Sequence, residues 1–188
     1  MMYSLIAVLA IILLISLFLN FKQRRELERL NNSELSLIKK AYFNPITELP
    51  NRENLNIVVG EQISRAARHQ KHFVIVAVKI ENYRDVKRGS SKIANDLIEE
   101  SGDRLFALLR DEDSLSHISE DFFTIVFNEY LKEKDLGVIF KRIKKAFKKI
   151  NPTDLDINIS IGSSVYPIDA KDTKSLITVA KENAERRI

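Results

Sequence analysis

Two adjacent carboxylates, Glu120 and Asp121, sit in the polar break of an alternating apolar stretch, Asp113 to Phe127 (D-S-L-S-H-I-S-E-D-F-F-T-I-V-F). Leu115 and Ile118 precede the break Ser119-Glu120-Asp121, and Phe123, Ile125 and Phe127 follow it. The pattern predicts a tight antiparallel hairpin. Paired carboxylates at its tip are hard oxygen donors of the kind a divalent cation takes. A second chemically marked residue is Lys79, which interrupts the apolar, β-branched run Phe73–Ile80 (F-V-I-V-A-V-K-I). An ammonium in such a strand needs a cleft to face or a partner to pair with. The chain has no cysteine, which excludes disulfides, thiolate nucleophiles and zinc–thiolate sites. His69 and His72 flank a helix-to-strand turn with no carboxylate partner at hand, and neither they nor His117 read as metal ligands.

The elements that must position these residues follow from periodicity. Residues 1–21 carry no charge, and Leu5 to Leu19 is continuously apolar but for one serine. At 1.5 Å per residue, roughly 20 helical residues cross a bilayer, so residues 3–20 predict one transmembrane helix. A cleaved signal peptide would want a basic start, a shorter apolar run and a small-residue cleavage site, and none is present. Lys22, Arg24 and Arg25 follow at once and orient what comes after toward the cytoplasm. Residues 22–43 predict a juxtamembrane helix with Leu27, Leu30, Leu37 and Ala41 at heptad-like spacing and a break or re-cap at Asn31-Asn32-Ser33. It is either a short dimerising coiled coil or a solvated helix whose basic residues touch anionic lipid. Pro45 and Pro50 then mark a domain boundary, and residues 44–188 form the second unit.

Within that unit the order is a helix over Glu53–Arg68, the strand Phe73–Ile80 buried on both faces, a helix over Lys92–Leu109, the hairpin, an amphipathic helix over Lys132–Ile150, a half-buried strand over Leu155–Tyr166 and a closing helix over Thr173–Arg187. This is an α/β fold, a mixed sheet flanked by helices. The formal charge is only +4, and the basic face between Lys141 and Lys149 lacks interleaved aromatics, so nucleic acid is not the expected partner.

From about Tyr42 onward the chain resembles the GGDEF domain, the diguanylate cyclase module of bacterial signalling. Four segments carry the likeness, in order. They are N-P-I-T-E-L-P-N-R (44–52), K-I-E-N-Y-R-D-V-K (79–87), S-E-D-F-F (119–123) at the signature's place, and I-S-I-G-S-S-V-Y-P-I-D (159–169). Active members join two GTP molecules using carboxylate-held metals. Compared residue by residue, the resemblance implies that this apparatus is degenerate. The metal-binding Asp is Lys79, and an ammonium repels a cation. Signature position three survives as Asp121, but position four is Phe122. Ser119 and Glu120 replace two glycines of positive φ, a turn that costs roughly 1–2 kcal/mol per L-residue and so predicts a change of turn type. The guanine-reading positions are Lys87 and Asp96, and the late phosphate-binding lysine falls on Ile188. The implied domain is not an enzyme, and no metal or cofactor is expected. Charge alone predicts a direct ion pair between Lys79 and Asp121 in the metal's place.

A regulatory feature of the family remains. Arg110-Asp-Glu-Asp113 has five residues between Asp113 and Ser119, the register of the R-x-x-D product site, and Arg142 lies near the family's further arginine. An Arg fork can meet guanine O6 and N7 or a phosphate with two hydrogen bonds. Arg110, Asp113 and Arg142 are therefore the expected binders of cyclic di-GMP. The expected protein is a single-pass protein of the bacterial inner membrane and a cyclic di-GMP receptor, as a homodimer or with membrane partners. The alternative is a nucleotide-independent scaffold in a membrane complex.

Overall fold

The structure is a computed structural model of the chain, and it describes residues 2–128, 133–148 and 157–186, with side chains of 2–15, 30–33 and 133–134 left aside. The chain divides into two units, Met1–Ala41 and Tyr42–Ile188. The first lies within α1 (Met2–Tyr42), one helix of 41 residues. It runs through Asn31-Asn32-Ser33 without the expected break. Most of the apolar run of residues 3–20 lies outside the described side chains. Among the described residues no helix is long and apolar enough to cross a membrane.

The second unit contains α2 (Arg52–His69), β1 (Phe73–Ile80), α3 (Tyr83–Gly89), α4 (Ser91–Phe106), β2 (Ser114–Ser119), β3 (Phe122–Phe127), α5 (Glu133–Phe147), β4 (Ile159–Tyr166) and α6 (Thr173–Glu185). Local chemistry sets the helix starts. The side chains of Asn51, Ser90 and Asp172 accept the first free N–H groups of α2, α4 and α6. The four strands run β2-β3-β1-β4, and every pairing is antiparallel. The expectation of a mixed sheet is thereby corrected. Hydrophobic periodicity reports which residues are buried but carries no information on strand direction. The β4 prediction began at Leu155, and residues 149–156 lie outside the described residues.

β1 is the centre of the sheet, and its alternation sorts the core into two layers. Val74, Val76, Val78 and Ile80 face α3, α4 and α5 residues such as Leu97, Ile98, Leu105 and Ile143. Phe73, Ile75 and Ala77 face α2 and α6 through Leu55, Val59, Leu176 and Ala180. The second layer depends on a close approach at Gly162. A Cβ built there would stand 2.1 Å from the Ala184 N and 2.4 Å from the Ala180 O on α6. Backbone cannot yield as a side-chain tip can. Gly162→Ala is therefore expected to destabilise the domain by roughly 1–3 kcal/mol, read as a lowered urea midpoint of the full chain.

Candidate functional site

The hairpin forms as the alternation predicts, with Glu120 and Asp121 as its turn. The pairing shifts between His117 and Ser119, so a bulge takes up the change of turn. Among the described residues, positive φ outside glycine occurs only at Glu48 and Gln70. Ser119 and Glu120 thus avoid the left-handed backbone that their glycine counterparts would supply.

Register fixes what lies under the tip. Lys79 is paired with Phe122 on one side and Ser160 on the other. The predicted Lys79–Asp121 ion pair is not formed. Lys79 Nζ instead lies 3.1 Å from Glu81 Oε2, and the Ser160 hydroxyl donates to Glu81 Oε1 at 2.5 Å. Glu81, one residue beyond the end of β1, is the acid within ion-pair reach of Lys79, and Asp121 is not. Asp121 ties the tip to β1 through its main chain, its carbonyl accepting from the Ile80 N–H at 2.9 Å. The buried Phe122 ring has two ammonium groups against it, Lys79 at 5.9 Å and Lys181 at 4.2 Å from its centroid. Both distances lie within reach of a cation–π attraction. Among the described residues no group of three or more His, Asp and Glu side chains is placed to hold a metal.

Two further positions marked in the sequence meet each other. Lys87 on α3 makes an ion pair and hydrogen bond with Glu120 of the hairpin turn. The bond holds Glu120 below the usual carboxylate range and raises Lys87 above the usual lysine range. Asp96 stands on the exposed side of α4 and joins neither. Ile188 lies outside the described residues. Beneath the turn, His117 stacks on Phe123 with centroids 4.5 Å apart, and its Nδ1 lies 3.2 Å from Thr47 Oγ1. Burial holds the His117 pKa below its ordinary 6.5.

Arg110, Asp113 and Arg142 are brought together. All three line one cleft of about 550 Å³ between the end of α4, the start of β2, the end of β3 and α5. Arg110 and Asp113 close a tight turn. The Arg110 carbonyl accepts from the Asp113 N–H at 3.0 Å, and the Asp113 carboxylate accepts from the Arg110 N–H at 3.2 Å. Burial raises the Asp113 pKa, against hydrogen bonds from the Arg110 and Asn128 backbones that lower it. The Arg110 guanidinium lies 3.5 Å from Glu112. Leu108, Ile139 and Ile143 give the cleft apolar walls, and Asp135 adds a further carboxylate. Such a cleft can hold a flat, polar ring against its apolar walls while the arginines meet phosphate or purine acceptors.

The profile of the family described as "Diguanylate cyclase, GGDEF domain" matches residues 41–187. The chain belongs to the GGDEF domain family. The bifunctional diguanylate cyclase/cyclic di-GMP phosphodiesterase MucR of Pseudomonas aeruginosa is 24% identical over 179 residues, which are 92% of this chain and 26% of that protein. The chain thus spans about a quarter of that relative's length. Among solved structures, the GGDEF domain of TpbB (YfiN) from Pseudomonas aeruginosa superposes with a TM-score of 0.71 at 16% identity, covering 78% of this chain and 90% of that one. The coiled coil and GGDEF domain of DgcB from Caulobacter crescentus, solved in complex with cyclic di-GMP, gives 0.68 at 13% identity, covering 86% and 87%. These likenesses show that the fold is that of a GGDEF domain.

Sequence reasoning marked Lys87 and Glu120 separately in this GGDEF domain but did not join them. Their opposite charges at two positions that the resemblance assigns to the nucleotide were the available signal. Glu112 and Asp135 were missed as cleft residues, and no motif announces them. Two outcomes follow. In Lys87→Ala, the Glu120 carboxyl should titrate at higher pH than in the parent, observed by carboxyl NMR. Stability should change little, because exposed pairs contribute little. His117 should make the domain acid-sensitive. Its folded pKa lies below its unfolded value, so the unfolded state gains the proton first and stability falls as pH drops through about 6.5. Urea midpoints at about pH 7.5 and about pH 5.5 should differ less in His117→Phe than in the parent.

Proposed function

We propose that the protein is a catalytically inactive, membrane-anchored GGDEF-domain receptor for cyclic di-GMP, with Arg110, Asp113 and Arg142 as its ligand-binding residues. The observation that carries this reading is that these three side chains, chosen on sequence register, line one cleft of about 550 Å³. DgcB, solved with cyclic di-GMP bound, shares the fold. In the bound state Arg110 leaves Glu112 and turns its fork to a guanine edge or a phosphate, and Asp113 accepts from the base. Arg142 on α5 supplies the second cation. Glu112 and Asp135 oppose the dinucleotide's charge and hold the affinity down.

Inactivity rests on the old catalytic face. Lys79 and Phe122 offer no metal ligand, and Lys87, at the guanine-reading position that the resemblance gives, is bonded to Glu120. The uncharged residues 3–20 followed by Lys22, Arg24 and Arg25 support a single-pass anchor in the bacterial inner membrane, with the GGDEF domain in the cytoplasm. The segment 22–43 would then pair two copies or meet membrane partners. One observation favours a second reading. The Arg110 guanidinium already faces Glu112, which suits a nucleotide-independent scaffold or dimerisation module.

Calorimetric titration of the full chain, in maltoside micelles, decides between the two. The receptor binds cyclic di-GMP, Arg110→Ala weakens binding by about tenfold or more, and Glu112→Gln strengthens it. Folded protein that binds no cyclic di-GMP overturns the receptor reading in favour of the scaffold. Formation of a dinucleotide from GTP and magnesium overturns the inactivity.

A further inference from the structure

A second cleft, of about 660 Å³, lies between the start of α2 and α6 and shares no residue with the dinucleotide cleft. Arg52 and Lys174 line it together with Lys181. Of the two carboxylates on its wall, Glu182 is taken by Arg186 at 3.2 Å, which leaves Glu185 against three cations. Among the described residues neither Arg52 nor Lys181 has a carboxylate within ion-pair distance. The Lys181 ammonium is fixed 4.2 Å over the Phe122 ring, so it is positioned and partly stripped of water. Its pKa is lowered by burial first and then by Arg52, with Glu185 and Asp121 acting the other way and Lys79 adding to the repulsion. Arg52, Lys174 and Lys181 on two helices therefore face one space with Glu185 as the one carboxylate not already paired, and at half-buried Lys181 the Coulomb attraction for an anion exceeds its value in water.

We propose that this cleft is an anion site for a phosphate-type group, held by Arg52 and Lys181, with Asn56 and Thr178 supplying neutral hydrogen bonds. An oxyanion with oxygens on several sides reaches both walls at once, whereas a planar carboxylate satisfies one. Arg52 offers a fork for two oxygens and Lys181 a point charge for a third. The volume exceeds that of a single phosphate and suits a phosphorylated small molecule. Binding needs no metal, because the cations are the protein's own. It also couples to the hairpin, since Lys181 rests on Phe122 at the foot of the turn.

Pyrophosphate, with chelator present, is the probe. It is titrated calorimetrically into the full chain in maltoside micelles at constant ionic strength set with chloride. The expected result is saturable binding, weakened by about tenfold or more in Arg52→Gln and in Lys181→Gln and unchanged in Arg110→Ala. Arg52 is exposed on the first turn of α2, so its variant tests the site without risk to the core. No binding by folded protein, equal affinity in Arg52→Gln, or an equal loss in Arg110→Ala would each overturn the proposal. The last outcome would assign the heat to the dinucleotide cleft.

Discussion

The antiparallel pairing of β1 with β3 and β4 is the constraint on which the rest depends. β1 is buried on both sides, and its register sets Lys79 beside Phe122 and Ser160. Once that ladder is fixed, the hairpin tip must stand at the end of β1, and the start of β2 must lie beside the end of α4. The chemistry of both faces follows from this one registration. At the tip it collects Lys79, Phe122 and Lys181. At the far end of the hairpin it brings Arg110 and Asp113 up against α5 and Arg142.

The two faces have diverged in character. At the tip stand a lysine held by Glu81 and an aromatic ring with two ammonium groups at 5.9 and 4.2 Å from its centroid. The Lys87–Glu120 bond joins α3 to the turn across the space beside it. The Lys79–Glu81 and Lys87–Glu120 pairs meet charge with charge of the same chain, whereas Lys181 rests on the Phe122 ring with no ion-pair partner among the described residues. The far cleft is different. It is open, partly apolar, and its arginines can exchange a protein carboxylate for a ligand's oxygens at modest cost, because exposed ion pairs are weak.

Much of this was legible in the sequence because burial leaves a periodic mark. The apolar run 73–80, the alternation about residues 119–121 and the stripe Ile139, Ile143 and Phe147 each formed the element their spacing predicts. The register of Arg110 and Asp113 to the hairpin was equally readable. What failed has one cause, the absence of any periodic trace of long-range contact. α3 is seven residues, too short to show a stripe, and it was not separated from the linker between strand and helix. The all-antiparallel sheet depends on β4's direction, which alternation does not encode. The Lys79–Asp121 pair was inferred from charge across the chain, while the nearer Glu81 lay two residues on, just past the end of β1. Lys181 sits in an ordinary amphipathic helix, and only the fold carries it to Phe122.

The central proposal is that the dinucleotide binds in the cleft of Arg110, Asp113 and Arg142 and not at the hairpin tip. Backbone amide NMR of the full chain, recorded as cyclic di-GMP is added, tests it most directly. The account predicts shifts concentrated at residues 107–113 and 138–143, with Lys87, Glu120 and Phe122 unmoved. Shifts centred on Lys87, Glu120 and Phe122, or no shifts at saturating ligand, would contradict it.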